Sequence, residues 1–456
     1  MERAEPASPA PREPEAAGAS EVAAPVPILF GGDQPRPHEA RNFWIMVVYQ
    51  IVMRTGWIFK TESSIMPAVV DALDGGAWVR GWLPLLNRFG QSVPPLLMAR
   101  HIKNLPKKKH AFIATTTSMA VIFACLTAIW IIPGLDKSPS AALIYLVLYG
   151  LFFAAIGING LSYNTIQGKL IRVTRRGRLL MIADTVGATS AVLCALLLLP
   201  QWLHEDYADF RYIFGFSTLL FAVASIMAWL LKEQRDDYHE PRTPLLAPFA
   251  GAWETLRRDA NFRRLCIVSA LFSSSLVLFP HYQALASEKL GLGFEYLVWW
   301  VVAQNIGTAI FSILTGPLAD RFGNRSSLRV LTLAICAAPQ LAVFLGVWPV
   351  LGKQYFAAVF LLIGMTPVAQ KTFNNYTLEI SNQEDHPKYL STLSLCMAGP
   401  IFLSPLVGGM IELVGFEAVY HFITLLLVLG SLLSLGLEEP RHKSVSNVVV
   451  GADESL

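Results

Sequence analysis

Long apolar stretches, separated by short polar or charged segments, follow one another along the chain from residue 43 onward. Most of them are close to the ~20 residues that a helix needs to cross ~30 Å of hydrocarbon. The pattern therefore predicts transmembrane helices. Twelve spans are predicted, at residues 43–68, 78–99, 111–132, 141–164, 180–200, 211–231, 263–287, 294–318, 328–350, 355–378, 389–412 and 418–437.

One polar break, between the sixth and seventh spans, is much longer than the others and carries many charged residues around a short amphipathic stretch. It divides the spans into two sets of six. The sequence predicts five regions: a disordered cytoplasmic tail (1–42), a six-helix bundle (43–231), a cytoplasmic linker with an amphipathic helix (232–262), a second six-helix bundle (263–437) and a cytoplasmic C-terminal tail (438–456).

The two sets of spans resemble each other in sequence. Asn42-Phe43 opens the first span and Asn261-Phe262 leads into the seventh, and the same offset places Glu62 opposite His281. Both sets run in the same direction, as in parallel repeats related by an axis along the membrane normal. The predicted fold class is an all-α membrane protein whose two six-helix bundles are pseudo-symmetric.

The composition excludes several classes of protein. Of the 456 residues, 54% are apolar and only 15% are charged, and the mean hydropathy is +0.46. A soluble protein has roughly 25% charged residues. A soluble enzyme, a nucleic-acid-binding protein and a disulfide scaffold are therefore excluded. The five cysteines lie in apolar stretches and are interpreted as buried hydrophobic residues.

Charges in the loops predict the orientation. Lysine and arginine are concentrated in the loops on one side of the predicted spans, and such loops are usually cytoplasmic. Because the number of spans is even, both termini are predicted to be cytoplasmic. We expect a monomer in the plasma membrane (the inner membrane of a bacterial cell) whose partners are the lipid bilayer and a small-molecule substrate, without nucleic acid, cofactor or metal.

The loop after the eighth span carries a recognisable motif. Residues 316–325 read GPLADRFGNR, which resembles the G-x-L-A-D-R-x-G-R-R signature of the major facilitator superfamily. In that family the signature is strongest after the second span, where this chain keeps the basic character but has Arg100 in place of the acidic residue. The resemblance implies a transporter with two halves around a central cavity and a conformational latch formed by Gly316, Asp320, Arg321, Gly323 and Arg325. The arginines could also simply bind lipid phosphates, and the two roles are compatible.

Polar residues inside the apolar spans are the candidates for substrate binding, because a charge in hydrocarbon is costly unless it faces a polar interior. In the superfamily, the first, fourth, seventh and tenth spans line the cavity. The corresponding candidates here are Arg54, Trp57, Asn159, Tyr163, His281, Lys371 and Asn375. Arg88, in the second span, is predicted to face either the substrate or a neighbouring helix. A continuous first helix would point Lys60 away from Arg54 and Glu62, toward the outer interface.

Two residues are candidates for coupling transport to protons. Glu62 is a carboxyl group within a span, and His281 occupies the matching place in the seventh span. A carboxyl group in a dry site can titrate near neutral pH. The alternatives are that Glu62 forms a permanent ion pair and that His281 is hydrogen-bonded within the core.

The sequence therefore predicts a secondary active transporter, not an enzyme. Arg54, Arg88 and Lys371 outnumber Glu62 among the deep charges, which favours a small polar or anionic solute. We expect a proton-coupled symporter; a passive facilitator, an efflux carrier, or a non-transporting receptor or lipid-handling protein are the alternatives. An acyltransferase-like His204/Asp209 spacing falls in a loop too short for an acceptor pocket.

Overall fold

The chain is almost entirely helical in a computed structural model, which describes residues 36–235, 247–382 and 385–439. In these ranges, β-type backbone pairing is limited to one isolated bridge between Leu203 and Ala208. The helices are α1 Glu39–Ile58, α2 Ile65–Ala72, α3 Ala77–Lys103, α4 Lys109–Ile131, α5 Ala141–Leu170, α6 Val173–Trp202, α7 Phe210–Leu230, α8 Ala247–Arg258, α9 Ala260–Val277, α10 Phe279–Leu290, α11 Tyr296–Phe322, α12 Asn324–Ala334, α13 Ala337–Val347, α14 Pro349–Tyr355, α15 Ala357–Ile363, α16 Thr366–Ile380, α17 His386–Ala398 and α18 Ser404–Ser434.

Eight helical stretches of the described chain are long and apolar enough to cross a membrane, and a bent pair, α14 with the stretch Ala357–Ile380, makes a ninth. One of the eight, Lys388–Ser434, holds two segments, because Gly415 has a left-handed φ of 85° and breaks the helix. The α1–α2 segment and α3, which carry Arg54, Lys60, Glu62, Arg80 and Arg88, fall outside that apolar set. The architecture is consistent with the twelve predicted spans.

The two halves repeat one pattern of helix packing. In the N-terminal half α3 packs on α5, α4 packs on α7, and α1 packs on α6 and α7. In the C-terminal half α11 packs on α15, α12 and α13 pack on α18, and α9 packs on α17 and α18. The second set matches the first span by span. The fold is therefore two pseudo-symmetric bundles.

Glycines allow the equivalent helices to approach closely in both halves. A Cβ on Gly157 of α5 would lie 2.5 Å from the carbonyl oxygen of Gly90 on α3. In the second half, a Cβ on Gly307 of α11 would lie 2.0 Å from the carbonyl oxygen of Leu361 on α15. No side chain fits at such distances, so helix pairs that depend on small residues form the framework of each bundle.

The predicted terminal and linker regions are only partly described. Residues 1–35, 236–246 and 440–456, which hold most of both predicted tails and the first part of the linker, lie outside the described residues. Within the linker, α8 covers Ala247–Arg258. The first helix, α1, begins at Glu39, four residues before the predicted start of the first span at residue 43.

Both ends of the described chain lie at one end of the bundle, called here the terminal end. Glu39 pairs with Arg172 between α5 and α6 at 2.9 Å, and Glu439 pairs with Arg325 at the start of α12 at 3.1 Å. The opposite end, called the distal end, holds the α2–α3 and α10–α11 connections.

The halves are joined tightly at the distal end, where α3 meets α18. The Ser404 hydroxyl donates to the carbonyl of Gly81 at 2.7 Å, and the backbone N–H of Trp78 donates to a carboxylate oxygen of Glu412 at 2.9 Å. A Cβ on Gly408 would lie 2.2 Å from the carbonyl oxygen of Ala77. The two backbones are therefore in direct contact and close the distal end.

A buried arginine adds an ionic connection at the same end. Arg80, near the start of the predicted second span, is 7% exposed in its side chain and pairs with Asp71 of its own half and with Glu288 of the other half, the latter at 2.9 Å. The Asp71 carboxylate is 23% exposed and that of Glu288 is 52% exposed. Arg80 is thus the central cation of a three-residue bridge across the distal closure.

We predict that Gly408→Val opens the distal end, because its first side-chain carbon would collide with the Ala77 carbonyl. A cysteine introduced at Asn305, in a background without the native cysteines, should then react several-fold faster with a membrane-impermeant thiol reagent applied from the distal side. Gly409→Val is the matched control, since its Cβ would meet only the Trp78 ring at 3.4 Å. Equal labelling of the two variants would contradict the proposed contact.

We predict that Arg80→Gln lowers thermal stability far more than Glu288→Gln. Removing Arg80 leaves Asp71 largely buried without its cation, a loss of about 3–5 kcal/mol for a buried pair. Glu288 is half exposed, so its loss should cost only about 0–1 kcal/mol. Thermal melting of the purified variants measures both, and the double variant Asp71→Asn/Arg80→Gln should recover part of the loss. Equal destabilisation by the two single variants would show that Arg80 is not the central residue.

Candidate functional site

A cavity of about 800 Å³ lies between the two halves, on the terminal side of the distal closure. Residues of α1, α3, α5 and α6 form its wall in the N-terminal half, and residues of α9, α11 and α16 form most of the opposite wall. Its volume falls within the ~300–1,000 Å³ of small-molecule sites. Both bundles therefore contribute to one cavity that could hold a solute.

Most of the residues predicted to bind substrate line this cavity. The predicted residues in its wall are Arg54, Trp57, Glu62, Asn159, Tyr163 and Lys371. The structure brings them together from α1, α5, α16 and the segment after α1. Arg88, for which the sequence left two roles open, also lines the cavity.

Two predicted residues lie elsewhere. His281 is completely buried in α10, and neither of its ring nitrogens has a hydrogen-bond partner among the described residues. Its neighbour Pro280 lines the cavity instead. Asn375 is exposed on α16, one turn beyond Lys371, and is not part of the cavity wall. Neither residue is placed to contact a solute in this cavity.

Glu62 is held by two neighbours. Its carboxylate accepts from the Lys60 ammonium at 2.8 Å and from the side-chain amide of Asn87. Lys60 is completely buried and lies 3.3 Å from the centre of the Trp57 ring, a cation–π contact that helps to replace its lost water. The pair is inside the protein, 27% exposed at Glu62 and 0% at Lys60.

The prediction that Lys60 extends to the outer interface is therefore wrong. It assumed one continuous helix through the first span, but α1 ends at Ile58 and α2 starts only at Ile65. The irregular turn between them rotates Lys60 inward, toward Phe153 and Trp57. Helical projection cannot anticipate such a break.

Arg54 has an acidic partner that the sequence analysis missed. Its guanidinium pairs with Asp184 of α6 at 2.9 Å, and the two side chains are 45% and 60% exposed. The fifth span was predicted to start at residue 180, which placed Asp184 near the start of that span. In the structure α6 starts earlier, at Val173, so Asp184 lies well inside the helix. An acidic residue inside an apolar stretch was the signal that could have identified it.

Two further cations line the cavity without a carboxylate partner among the described residues. Arg88 of α3 donates from Nη2 to the backbone carbonyl of Ser394 at 2.8 Å, and its Nε is buried without a partner. Lys371 of α16 is exposed into the cavity. One cation comes from each half.

Asn159 and Tyr163 belong to a polar network inside the N-terminal half. The Asn159 amide accepts from the Tyr49 hydroxyl at 2.9 Å and donates to Thr116 at 2.8 Å and Thr115 at 3.1 Å. The Tyr163 ring stacks on that of Tyr49 with 5.9 Å between centroids. These contacts connect α1, α4 and α5, and they fix the shape of this wall.

Neutral polar side chains on the C-terminal half complete the wall, and the sequence analysis did not select them. Gln304, Asn305 and Thr308 of α11 and Gln370 of α16 line the cavity. Gln304 also accepts a hydrogen bond from Ser63 across the two halves. Three of the four lie within five residues of one helix, a cluster that a search for charged residues alone overlooks.

The motif loop lies at the terminal end of the C-terminal half. Gly323 has a left-handed φ of 83° and separates α11 from α12, so the chain can reverse there. Arg325 pairs with Glu439 at 3.1 Å, and Asn324 donates to Glu379 at 2.8 Å. Gly316, Asp320 and Arg321 lie at the exposed end of α11. The described contacts of Arg325 and Asn324 are within one half.

Comparison with known proteins gives a consistent picture. The family model of the Major Facilitator Superfamily matches residues 282–451. No curated protein matches the sequence. The signature-like loop lies inside the matched region, so the match and the motif concern the same half of the chain.

Solved structures extend the likeness to both halves. A mutant of the nucleoside transporter NupG has a TM-score of 0.68 with 9% identity, and the alignment covers 87% of this chain and 100% of that chain. An auto-inhibited POT family peptide transporter has a TM-score of 0.61 with 12% identity over 87% and 96% of the two chains.

A third structure is a mutant of the E. coli fucose:proton symporter FucP, with a TM-score of 0.53 and 14% identity over 88% of this chain and 100% of that chain. FucP is itself a Major Facilitator Superfamily transporter. At such low identity these likenesses establish the fold. This multi-pass membrane protein therefore has the fold of the major facilitator superfamily, and its residues 282–451 match the model of that family.

Proposed function

We propose that the protein is a secondary transporter that moves a small polar or anionic solute by alternating access. The observation that carries the proposal is the cavity between the two halves, into which both halves direct charged and amide side chains. A charged group in hydrocarbon is costly. A membrane protein that retains several of them around an 800 Å³ space has a site for a hydrophilic solute.

Alternating access requires that one end of the cavity can close while the other opens. The α3–α18 contact and the Arg80 bridge close the distal end in this structure. These contacts are concentrated in a small region, so a rigid rotation of one bundle against the other could break them together. The motif loop, with Asp320, Arg321 and Arg325, is the proposed latch at the terminal end in the opposite state.

Within the cavity, we assign substrate contact to Arg54, Trp57, Tyr163 and Lys371. Trp57 covers Lys60 on one side and is 37% exposed, which leaves ring surface for stacking. Arg54 is half exposed despite its pair with Asp184, so a solute can approach it. His281 and Asn375 are outside the proposed site.

The fold alone does not select a solute. The similar structures are named for nucleoside transport, fucose–proton symport and peptide transport. The substrate class proposed here therefore depends on the residues of this chain's own cavity.

We propose proton coupling through Glu62. Its carboxylate balances the buried Lys60 ammonium, and protonation would leave Lys60 without a counter-charge beside the cavity. Binding of an anionic solute and binding of a proton would then assist each other, as a symporter requires. A passive facilitator is the alternative if the Lys60–Glu62 pair never titrates.

The Lys and Arg bias of the loops supports an orientation with both termini cytoplasmic, in the plasma membrane. The cavity is lined by one chain, so we expect a monomer to be sufficient for transport. Flux into sealed proteoliposomes distinguishes a transporter from a receptor or a lipid-handling protein. A panel of organic anions, sugars and nucleosides with an imposed pH gradient identifies the solute.

We predict that Glu62→Gln abolishes proton-driven accumulation of the transported solute but preserves exchange of labelled for unlabelled solute. Glutamine keeps the shape of the side chain but cannot bind and release a proton. The measurement is uptake into proteoliposomes with and without a pH gradient. Glu417→Gln is the matched control, because Glu417 also pairs with a lysine, Lys289 at 2.9 Å, but lies outside the cavity.

Three results would contradict the coupling role. Undiminished accumulation by Glu62→Gln would remove it as the proton carrier. Loss of exchange together with accumulation would make Glu62 part of the binding site or the fold instead. Absence of any pH effect on the unaltered protein would favour passive facilitation.

A further inference from the structure

The charges around the cavity do not balance. The Lys60–Glu62 and Arg54–Asp184 pairs are each neutral. Arg88 and Lys371 remain, and no carboxylate among the described residues lies within ion-pair distance of either one. The cavity therefore has two positive charges without a protein counter-charge.

Arg88 has hydrogen-bonding capacity to spare. A guanidinium group has five N–H donors in a planar fork and cannot lose its charge in a protein. Its Nη2 donates to the Ser394 carbonyl at 2.8 Å, while Nε is buried without a hydrogen-bond partner among the described residues. A buried donor without a partner costs ~1–3 kcal/mol. An anion that binds the guanidinium group from the cavity would offset part of the cost of burying this cation.

Lys371 presents the second charge from the opposite wall. It lies on α16 of the C-terminal half and lines the same cavity. The neighbouring Gln370 is held on Met397 at 3.2 Å, which fixes the local position of α16 without using the ammonium. Arg88 and Lys371 thus face one space from two bundles that move relative to each other in an alternating-access cycle.

We propose that Arg88 and Lys371 together bind an organic dianion, with one cation contacting each end or each charge of the solute. This rests on the proposed function and specifies its substrate class. Two cations without a protein counter-charge attract an anion, because a cleft lined by charges of one sign and bordered by low-dielectric walls concentrates their electric field. The neutral side chains of Gln304, Asn305 and Thr308 supply hydrogen bonds to any remaining hydroxyl or carbonyl groups.

A bridging dianion also gives the two bundles a shared ligand. Arg88 already contacts α17 of the other half through the carbonyl of Ser394. A solute that takes donors of Arg88 while contacting Lys371 stabilises those arrangements of the halves in which the two cations lie within reach of one molecule. Substrate binding is therefore linked to the relative position of the bundles.

The test measures binding to the detergent-purified protein by isothermal titration calorimetry, without any requirement for transport. Succinate, glutarate and adipate probe dicarboxylates of increasing length, glycerol 3-phosphate probes a phosphate dianion, and butyrate is the single-charge control for succinate. We expect one of the dianions to bind at least tenfold tighter than butyrate. An optimum length within the dicarboxylate series, or preference for glycerol 3-phosphate, identifies which dianion the site prefers.

Arg88→Gln and Lys371→Gln should each weaken that binding by about 10- to 100-fold, as expected for losing a charge-assisted hydrogen bond. Lys353→Gln, which removes an exposed charge outside the cavity, is the control and should leave binding unchanged. Size-exclusion profiles and thermal melting verify that the variants are folded. A second pair of variants, Arg88→Lys and Lys371→Arg, keeps the charge and should retain more affinity than the glutamine variants.

Equal affinity for succinate, glycerol 3-phosphate and butyrate, no dianion binding at all, or dianion binding that survives both glutamine substitutions would overturn the proposal. Failure of the transport function is separate. Dianion binding without flux in proteoliposomes would contradict the transporter and keep this site, whereas flux of a neutral solute without dianion binding would keep the transporter and reject this site.

Discussion

A charged side chain inside a lipid-facing helix bundle needs either an opposite charge or water, and this constraint organises the interior of the protein. The idealised cost of burying an ion is of order 20 kcal/mol, and several kcal/mol remain after relaxation. Arg80 satisfies the constraint with two carboxylates at the distal end. Arg54 and Lys60 satisfy it with one carboxylate each, beside the cavity. Arg88 and Lys371 satisfy it only by facing the cavity itself.

Close packing of the helices fixes the positions of these polar residues. The helices that carry them are held by backbone contacts at glycines, and these contacts tolerate no added carbon atom at Gly157 or Gly307. The interface between the halves is closed at the distal end by another backbone contact, at Gly408. If the halves move against each other as proposed, the close packing within each half confines that motion to this interface.

The sequence predicted the fold because hydropathy is a local property. Span length, the central charged break and the repeated order of the spans can be read without knowing any contact. The cavity residues were partly predictable for the same reason, since Arg54, Glu62 and Lys371 are charges in apolar stretches. Lys60 was mispredicted because one helix was projected through residues 60–64, whereas α1 stops at Ile58. The polar run Lys60-Thr61-Glu62-Ser63-Ser64 was the local signal of that break.

Pairing between distant segments was beyond local reasoning. Asp184 is 130 residues from Arg54, and Glu288 is 208 residues from Arg80. Arg80 stands near the start of a predicted span, where a charged side chain does not conflict with the hydropathy pattern, so its burial between Asp71 and Glu288 could not be foreseen. The glycines were also weak predictors of helix contacts. A glycine in the sequence can indicate a close helix contact, but it does not show which helix is the partner.

A transporter must also be able to leave the state in which it is most tightly packed. The distal closure combines a buried ionic bridge with a backbone contact, so an equally stable opposite state needs compensating contacts at the terminal end. In this structure Arg325 of the motif loop is paired with Glu439 of its own half. If Arg325 exchanged that partner for a group of the N-terminal half when the distal end opens, one ion pair would replace another, and the free-energy difference between the two states would stay small. The contacts of the motif loop would then offset the loss of the Arg80 bridge. The free-energy difference between the two states would determine how readily a bound solute shifts the equilibrium between them.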